Sequence, residues 1–516
     1  MPLQTRILRN LYRDSVVLMR VSAELAARPG VAEASAVMAT EGNLALLRES
    51  GLLEDRCAAG PNDLLVIVRG EAEPLLAAAL DHAESAVNPR AAVRGGERAE
   101  LAPRSMAMAM ERLPGANLAL VSTPGDYAAA EAFKALRLGL HVMCFSDNVS
   151  EEDEIALKRY ARAHGLLMMG PDCGTAILNG VPLGFANVVR RGVVGVVAAS
   201  GTGLQQVTCL IDRMGQGISQ AIGTGGRDLH RDVGGITMSQ GLEALATDPA
   251  TRVILIVSKP PAPEVAERLL AQARKVGKPV VVNFLGLDPA QVQGAGLHPA
   301  CTLEEAARCA ADLAAGDGGA APAGDDSPPA APSPPPRFAP SQRFLRGLFS
   351  GGTFCYEALL LLGESLGDVY SNTPIEARLA LEDVRKSREH TVIDLGDDRF
   401  TRGRPHPMID HRLRNDRIVQ EADDPATAVI LLDVVLGYGS HPDPATAMLP
   451  AIEEAHRRAA RAGRELAFVA FACGTEGDPQ DLRRQEGALA GAGVRLATSN
   501  AHAVRLAASL VTPRER

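Results

Sequence analysis

The chain has 516 residues, enough for three or four domains of ordinary size. It is 46% apolar and 22% charged, a globular profile that excludes global disorder. Lys and Arg number 53 against 62 Asp and Glu, a net charge of −9, and there are eleven Phe, six Tyr and no Trp. Nucleic-acid binding needs basic and stacking surfaces, and this composition argues against it. Met1 to Ser15 has no apolar core ahead of a cleavage site, so no signal peptide is expected. No stretch reaches the ~18 apolar residues of a membrane span. The eight Cys (57, 144, 173, 209, 301, 309, 355 and 473) are scattered without a CxxC pair. That spacing speaks against a disulfide framework or a zinc site and for a reducing cytoplasm.

In chain order, residues 1–104 alternate strand and helix patterns in a small α/β unit. RILRN reads as a strand, Ser15 to Ala27 as a helix, and VAEASAVMAT as a strand. Asn43 to Arg48 is a short helix, DLLVIVRG a buried strand, and Glu71 to Val87 a helix. Residues 105–190 repeat the alternation in a Rossmann-like, parallel unit. There NLALVS ends in Thr123-Pro124-Gly125-Asp126, and LHVMCFS runs into Ser146-Asp147-Asn148. Ser150 with Asp153 forms a capping box, and LLMMG ends in Pro171-Asp172-Cys173-Gly174. Residues 191–315 continue with GVVGVVAAS, ISQAIGTGG, RVILIVS and PVVVNFL as buried strands. Residues 316–340 are almost wholly Gly, Ala, Pro, Ser and Asp, a linker composition.

Residues 341–516 echo 191–315. Ser350-Gly351-Gly352-Thr353 opens a helix as Ser200-Gly201-Thr202-Gly203 does, and DPAT precedes a buried strand at 248 and again at 424. The pattern predicts a duplicated fold with an insertion of about 26 residues in the second copy, around 371–395.

The glycine turn at Ser200, Gly201, Thr202 and Gly203 either holds a phosphate or carboxylate on a helix N-terminus or is a tight turn with a Ser cap. No GxxxxGK[ST] is present, so it is not a nucleotide P-loop. Gly225, Gly226, Arg227 and Asp228 form a second turn at a strand end. Arg227 there suits carboxylate, carbamoyl or phosphoryl oxygens, unless it is a solvated partner of the Asp. A third cluster holds Asp394, Gly396, Asp397 and Asp398, then Arg402, Arg404, His406, Asp410 and His411. Its spacing fits no standard metal site. Anion binding by Arg404, with His406 as acid or base, competes with a salt-bridged loop. Cys173 would be a nucleophile only beside a base that lowers its pKa.

The run STPGDY, FSDN, MGPDCGT, ASGTG, GTGGRDL and SKPP resembles the succinyl-CoA synthetase α subunit and its acyl-CoA synthetase relatives. The late half, with DLGDD and DPATAVILLDVVLG, looks like the C-terminal domain of the partner β subunit. CFSDN, MGPDCGT, GTGGRDL, IDLGDD and GRPHPMID in that order make the chain, over nearly its whole length, similar to the FdrA family. The implied fold is α/β: a small N-terminal α/β domain, a Rossmann-like CoA-binding-type domain, and two flavodoxin-like succinyl-CoA-synthetase-type domains. The phosphorylated His of the synthetases, in a Gly-His-Ala-Gly segment, is missing here. Asp288-Pro289-Ala290-Gln291 follows PVVVNFLGL instead, and His298 reads as a turn residue. Nothing resembles an ATP-grasp domain.

For the FdrA family the resemblance implies an oxamate carbamoyltransferase subunit of purine and allantoin catabolism, acting with separate partner subunits. Oxalurate and phosphate would give oxamate and carbamoyl phosphate. Ser200–Gly203 and Ser350–Thr353 would hold phosphate. Gly225, Gly226, Asp228, Gly396, Asp397, Asp398 and Asp410 would line the substrate, and His406, Arg404 and Arg227 would be the catalytic candidates. No metal is implied. No cofactor is fixed, although CoA would fit over Thr123, Pro124, Gly125, Asp126, Ser146, Asp147, Asn148, Pro171, Asp172, Cys173 and Gly174. An acyl-CoA synthetase that borrows its phosphoryl group from a partner, and a non-catalytic scaffold, are the alternatives.

Overall fold

The computed structural model describes residues 1–13, 15–49, 51–53, 57–87, 103–316, 336–401 and 405–512. Most of the expected linker, and Arg402 and Arg404, lie outside the described residues.

The N-terminal unit runs β1 (Leu3–Leu8), α1 (Ser15–Ala26), β2 (Val31–Met38), α2 (Glu41–Glu49), β3 (Leu64–Gly70) and α3 (Glu73–Val87). Its sheet is antiparallel in the order β1-β3-β2. Central β3 is apolar from Leu64 to Val68 because both its faces are covered there. Leu64, Val66 and Val68 pack on α1 and α3, while Leu65 and Ile67 pack toward α2.

After α4 (Met106–Arg112), a small parallel sheet β4-β5-β6 follows from β4 (Leu118–Val121), α5 (Gly125–Arg137), β5 (His141–Cys144), α6 (Glu151–Ala163) and β6 (Met168–Met169). The Ser150 hydroxyl accepts the Asp153 N–H at 3.1 Å and meets its carboxylate at 2.7 Å, so the capping box is present.

The hairpin β7 (Thr175–Leu178) and β8 (Val181–Gly184) leads into β9 (Arg191–Ala199), α7 (Gly201–Arg213), β10 (Ile218–Gly223), α8 (Ile236–Thr247) and β11 (Val253–Ser258). Then come α9 (Pro263–Ala273), β12 (Val280–Phe284), α10 (Pro289–Gly294), β13 (His298–Pro299) and α11 (Leu303–Ala315). These strands order as β13-β12-β11-β9-β10-β7-β8, parallel from β13 to β10. His298 is a residue of an edge strand rather than of a turn, because β12 pairs with it.

The last unit holds β14 (Phe344–Phe349), α12 (Gly352–Leu366), β15 (Tyr370–Ser371), β16 (Thr391–Asp394), α13 (Asp398–Thr401) and α14 (Arg412–Asp423). It closes with β17 (Thr427–Val435), α15 (Pro444–Arg461), β18 (Ala467–Cys473), α16 (Leu482–Gly491), β19 (Arg495–Ala497) and α17 (Asn500–Val511). Its all-parallel order, β15-β16-β14-β17-β18-β19, matches the five parallel strands of the preceding sheet, β13 to β10, strand for strand once β15 is set aside. The fold is therefore duplicated. The extra edge strand and its loop lie between α12 and β16, where the sequence pattern predicts the insertion.

The two large sheets share one hydrophobic core. Helices α7 and α11 pack against α12 and α17 between the sheets. Phe354 meets Phe471 edge-on at 5.1 Å and 85°. Polar pins cross the same layer: buried Glu357 accepts the Leu303 N–H at 2.7 Å and the Asn500 amide at 2.7 Å. No helix among the described residues is long and apolar enough to cross a membrane.

Candidate functional site: a cleft where two helix N-termini meet

Each large sheet sends one helix off its first strand, and the two N-termini converge. At α7 the cap is Ser200, whose Oγ accepts the Gly203 N–H at 2.9 Å. Glycine is required at 203, since a Cβ there would lie 2.4 Å from that Oγ. Ser200 Oγ also sits 2.6 Å from Thr353 Oγ1, in the first turn of α12. A Cβ on Gly351 would come within 2.9 Å of the Thr202 methyl. Two positive dipole ends therefore face one recess, an arrangement that favours an anion.

Helix α12 begins differently from α7. Its N-cap, Gly351, has no side chain to cap with. Beneath it Asp433, fully buried in β17, accepts Ser350 N–H (2.9 Å), Ser350 Oγ–H (2.8 Å) and Gly351 N–H (2.9 Å). Fully buried Arg414 donates to the same carboxylate at 2.6 Å and to the ring of His411 at 2.9 Å. The expectation that Ser350 and Gly351 hold phosphate directly is thus corrected, because their donors point inward to Asp433. Gly352 and Thr353 remain at the recess.

Lys259 and Asp394 stand at the same point. Lys259 follows β11, and Asp394 ends β16. A Cβ on Gly352 would lie 2.7 Å from Asp394 Oδ2 and 3.5 Å from Lys259 Nζ. The buried amide of Asn372 clamps the Asp394 backbone from both sides, at 2.9 Å each. Asp394 Oδ1 accepts the Gly396 N–H at 2.9 Å. Burial pushes the Asp394 carboxyl up to about 6, against the pull of Lys259.

The mouth of the cleft draws in the small sheet. Asp172 reaches solvent there yet is enclosed by protein on its other sides. That enclosure, with Asp147 and Asp398 nearby, pushes it up to about 7 against Lys259 and Arg227. A Cβ on Gly226 would lie 3.3 Å from its carboxylate, and Gly225, at φ +89°, packs on the Pro171 carbonyl. The turns at Thr123–Asp126 and Ser146–Asn148 touch each other: Ser146 Oγ donates to the Thr123 carbonyl at 2.5 Å. A Cβ on Gly125 would strike the Asp147 carbonyl. The strand-end turns that the sequence singles out thus gather around one cleft.

Several sequence-based expectations change. Asp228 does not line the cleft. It is fully buried, bound by Lys158 at 2.7 Å and by the Thr237 and Met238 N–H groups that open α8. Arg227 is half committed, donating to Glu154 at 3.0 Å and to the Val149 carbonyl at 2.7 Å. Asp397 pairs with Arg399 at 2.7 Å, and Asp410 pairs with Arg412. Cys173 is no nucleophile: burial pushes its thiol up to about 12.

His406 lies beside Phe185 of the other half, with ring centres 5.8 Å apart, and close to Gly396. Desolvation and Arg414 push it down to about 4, so near neutrality it is neutral. Its Nδ1 accepts the Met408 N–H at 3.3 Å, which leaves Nε2 carrying the proton. A cationic acid role for His406 is therefore replaced by that of a neutral partner.

Sequence reasoning placed Asp394 in the third cluster without a role, and it missed Lys259, Asp433 and Arg414. A charge inside the apolar run AVILLDVVLG is the one signal that pointed to Asp433.

A CoA-ligase family model matches residues 348–510. A CoA binding domain model matches 190–286, the sheet next to the one where the sequence suggests a CoA-type pocket. A model described as AllF, heavy metal-associated domain, matches 1–103. The residues present do not fit the metal of that description: Cys57 is the one thiol of the segment, and no group of three metal ligands occurs among the described residues.

The fold and cleft thus define a succinyl-CoA-synthetase-like, CoA-ligase-type chain. More narrowly, the chain belongs to the FdrA family: it is 43% identical to the uncharacterized protein YahF of Escherichia coli K12 over 97% of both chains. It is also 28% identical to the succinate–CoA ligase α subunit of Aquifex aeolicus, over 34% of this chain and 57% of that one. The ADP-forming sulfoacetate–CoA ligase subunit SauD of Bilophila wadsworthia is 28% identical over 33% of this chain and 59% of its own. Among solved structures, the dinucleotide-forming acetyl-coenzyme A synthetase 1 of Ca. Korarchaeum cryptofilum aligns at a TM-score of 0.33 and 15% identity, covering 76% of this chain and 82% of that one.

Proposed function

We propose that this chain is the FdrA-type subunit of an oxamate carbamoyltransferase, working in the cytoplasm with partner subunits on oxalurate and phosphate. The carrying observation is the junction of the α7 and α12 N-termini at Ser200 and Thr353, in a chain that has Asp288-Pro289 where the synthetases keep their phosphohistidine. Without a covalent phosphoryl carrier, such a junction suits free phosphate. The N-terminal AllF match supports an allantoin-pathway setting.

In this reading phosphate sits across Gly201, Thr202, Gly352 and Thr353, with Lys259 offsetting its charge. A phosphate oxygen attacks the carbamoyl carbon of oxalurate, and the bond to the oxamate nitrogen breaks. The proton of hydrogen phosphate passes to that nitrogen, giving oxamate and carbamoyl phosphate. Neutral His406 donates a hydrogen bond from Nε2, and Arg227 borders the mouth. Arg404, two residues before His406, keeps its proposed anion-binding role.

The test is phosphate-dependent cleavage of oxalurate by the complex assembled with this chain. Carbamoyl phosphate formation that requires the chain is expected; none from an assembled complex overturns the reading.

A second reading is an acid–thiol ligase with a partner-supplied phosphoryl group. It is favoured by the CoA-binding and CoA-ligase matches and by relatives named as ligase subunits. It predicts CoA binding at the Thr123, Ser146 and Pro171 turns, measurable by calorimetry, and fails if the complex binds no CoA.

A further inference from the structure

The recess at Gly352 holds two opposite charges that do not pair with each other. Asp394 is 7% exposed, its Oδ1 is occupied by the Gly396 N–H, and its Oδ2 has no hydrogen-bond partner among the described residues. Lys259 makes no ion pair among the described residues, and its Nζ lies 5.9 Å from the centre of the Tyr356 ring. Both groups reach the point that a Cβ on Gly352 would fill, at 2.7 and 3.5 Å. The open N-terminus of α12 faces the same point. Asn372 holds the Asp394 backbone, so the carboxylate is aimed rather than mobile.

A carboxylate acceptor next to an ammonium donor, with neither hydrogen-bonded nor ion-paired to the other, is complementary to a group that offers both. A primary amide does so: its NH2 donates and its carbonyl oxygen, side by side with it, accepts. A methyl ketone or an acyl group offers only the acceptor. We propose that Asp394 is the specificity-determining residue of this cleft, accepting a hydrogen bond from the NH2 of a carbamoyl or carboxamide substrate whose oxygens lie on Lys259 and the α12 N-terminus. The inference rests on the carbamoyl-transfer reading and names how the site tells a carbamoyl group from an acyl group. At neutral pH Asp394 is mostly ionised, with its carboxyl at about 6, and serves as an acceptor.

Carbamoyl phosphate and acetyl phosphate test this directly, because they differ only by NH2 against CH3. Their affinities for the complex assembled with this chain are measured by calorimetry at pH 7.5, for the natural protein and for Asp394→Asn. The asparagine can keep the Oδ1 bond to Gly396 and so the turn, but it puts an NH2 where Oδ2 was. The natural protein is expected to prefer carbamoyl phosphate by about tenfold or more, since a site with a buried polar partner rejects the analogue that leaves it unpaired. Asp394→Asn is expected to abolish or reverse the preference. Circular dichroism of the variant checks that the fold is kept, and Asp394→Ser, also without the second carboxylate oxygen, repeats the comparison if the asparagine chain misfolds. Equal binding of both ligands by the natural protein, or an unchanged preference in the folded variants, overturns the inference and leaves carbamoyl transfer standing. Binding of neither ligand removes both.

Discussion

The buried pair Asp433–Arg414 gives the sharpest energetic prediction. Both side chains are fully buried and meet at 2.6 Å. Removing one charge leaves the other in a low-dielectric interior, a loss of about 3–5 kcal/mol. Asp433→Asn falls at the upper end. Its single remaining oxygen is contested by Ser350 N–H, Ser350 Oγ–H and Gly351 N–H, so at least one buried donor is left unmatched, about 1–3 kcal/mol of the total. Arg414→Met is milder, near the lower end, because those three donors still solvate the carboxylate. The double variant should be cheaper than the two singles together by about 2 kcal/mol, the signature of direct coupling. With no Trp in the chain, urea unfolding is followed by far-ultraviolet circular dichroism, with the midpoint shifting at constant slope. Additivity to within about 0.5 kcal/mol would refute the reasoning, since the charges would then not depend on each other.

Three more outcomes are expected. Burial raises Glu357 to about 7, so the fold prefers it protonated. Its stabilisation is complete below about pH 4.5 and is lost as pH rises through about 7. Glu357→Gln should therefore remove a fall of about 3 kcal/mol across that window, read from unfolding midpoints at pH 5 and 8, and an unchanged profile counts against it. Alkylation of the native protein at pH 8 should reach exposed Cys301 first and leave Cys173 and Cys355 unmodified until unfolding, as peptide mass spectrometry would show. Lys259→Met should weaken phosphate binding about tenfold or more by calorimetry, with circular dichroism unchanged; equal affinity would place the anion elsewhere.

Much of the fold was legible in sequence because the local signals agree with it. Gly-bounded apolar runs became buried parallel strands, and Ser150 capped its helix as its spacing predicts. The repeated Ser-Gly turn and DPAT landmarks located both copies of the sheet and the added loop. The site was legible only in outline. Strand-end glycine turns marked the right edge of each sheet, but what each residue does depends on partners far away in the chain. Asp228 looked like a ligand contact, and its true partners are Lys158 and the start of α8. Ser350 looked like a twin of Ser200, and only Asp433, 83 residues on, turns its hydroxyl inward. Lys259 had no role assigned within the Ser-Lys-Pro-Pro motif because nothing local says that it reaches across to the other half.

The central claim is that two ligase-type domains in one chain have become a phosphate and carbamoyl site. It is tested most directly by incubating the assembled complex with oxalurate and phosphate and following carbamoyl phosphate with time. The account predicts formation that needs this chain and falls at least about tenfold with Lys259→Met. Formation that is unaffected by omitting this chain, or a fully assembled complex that forms none, would contradict it.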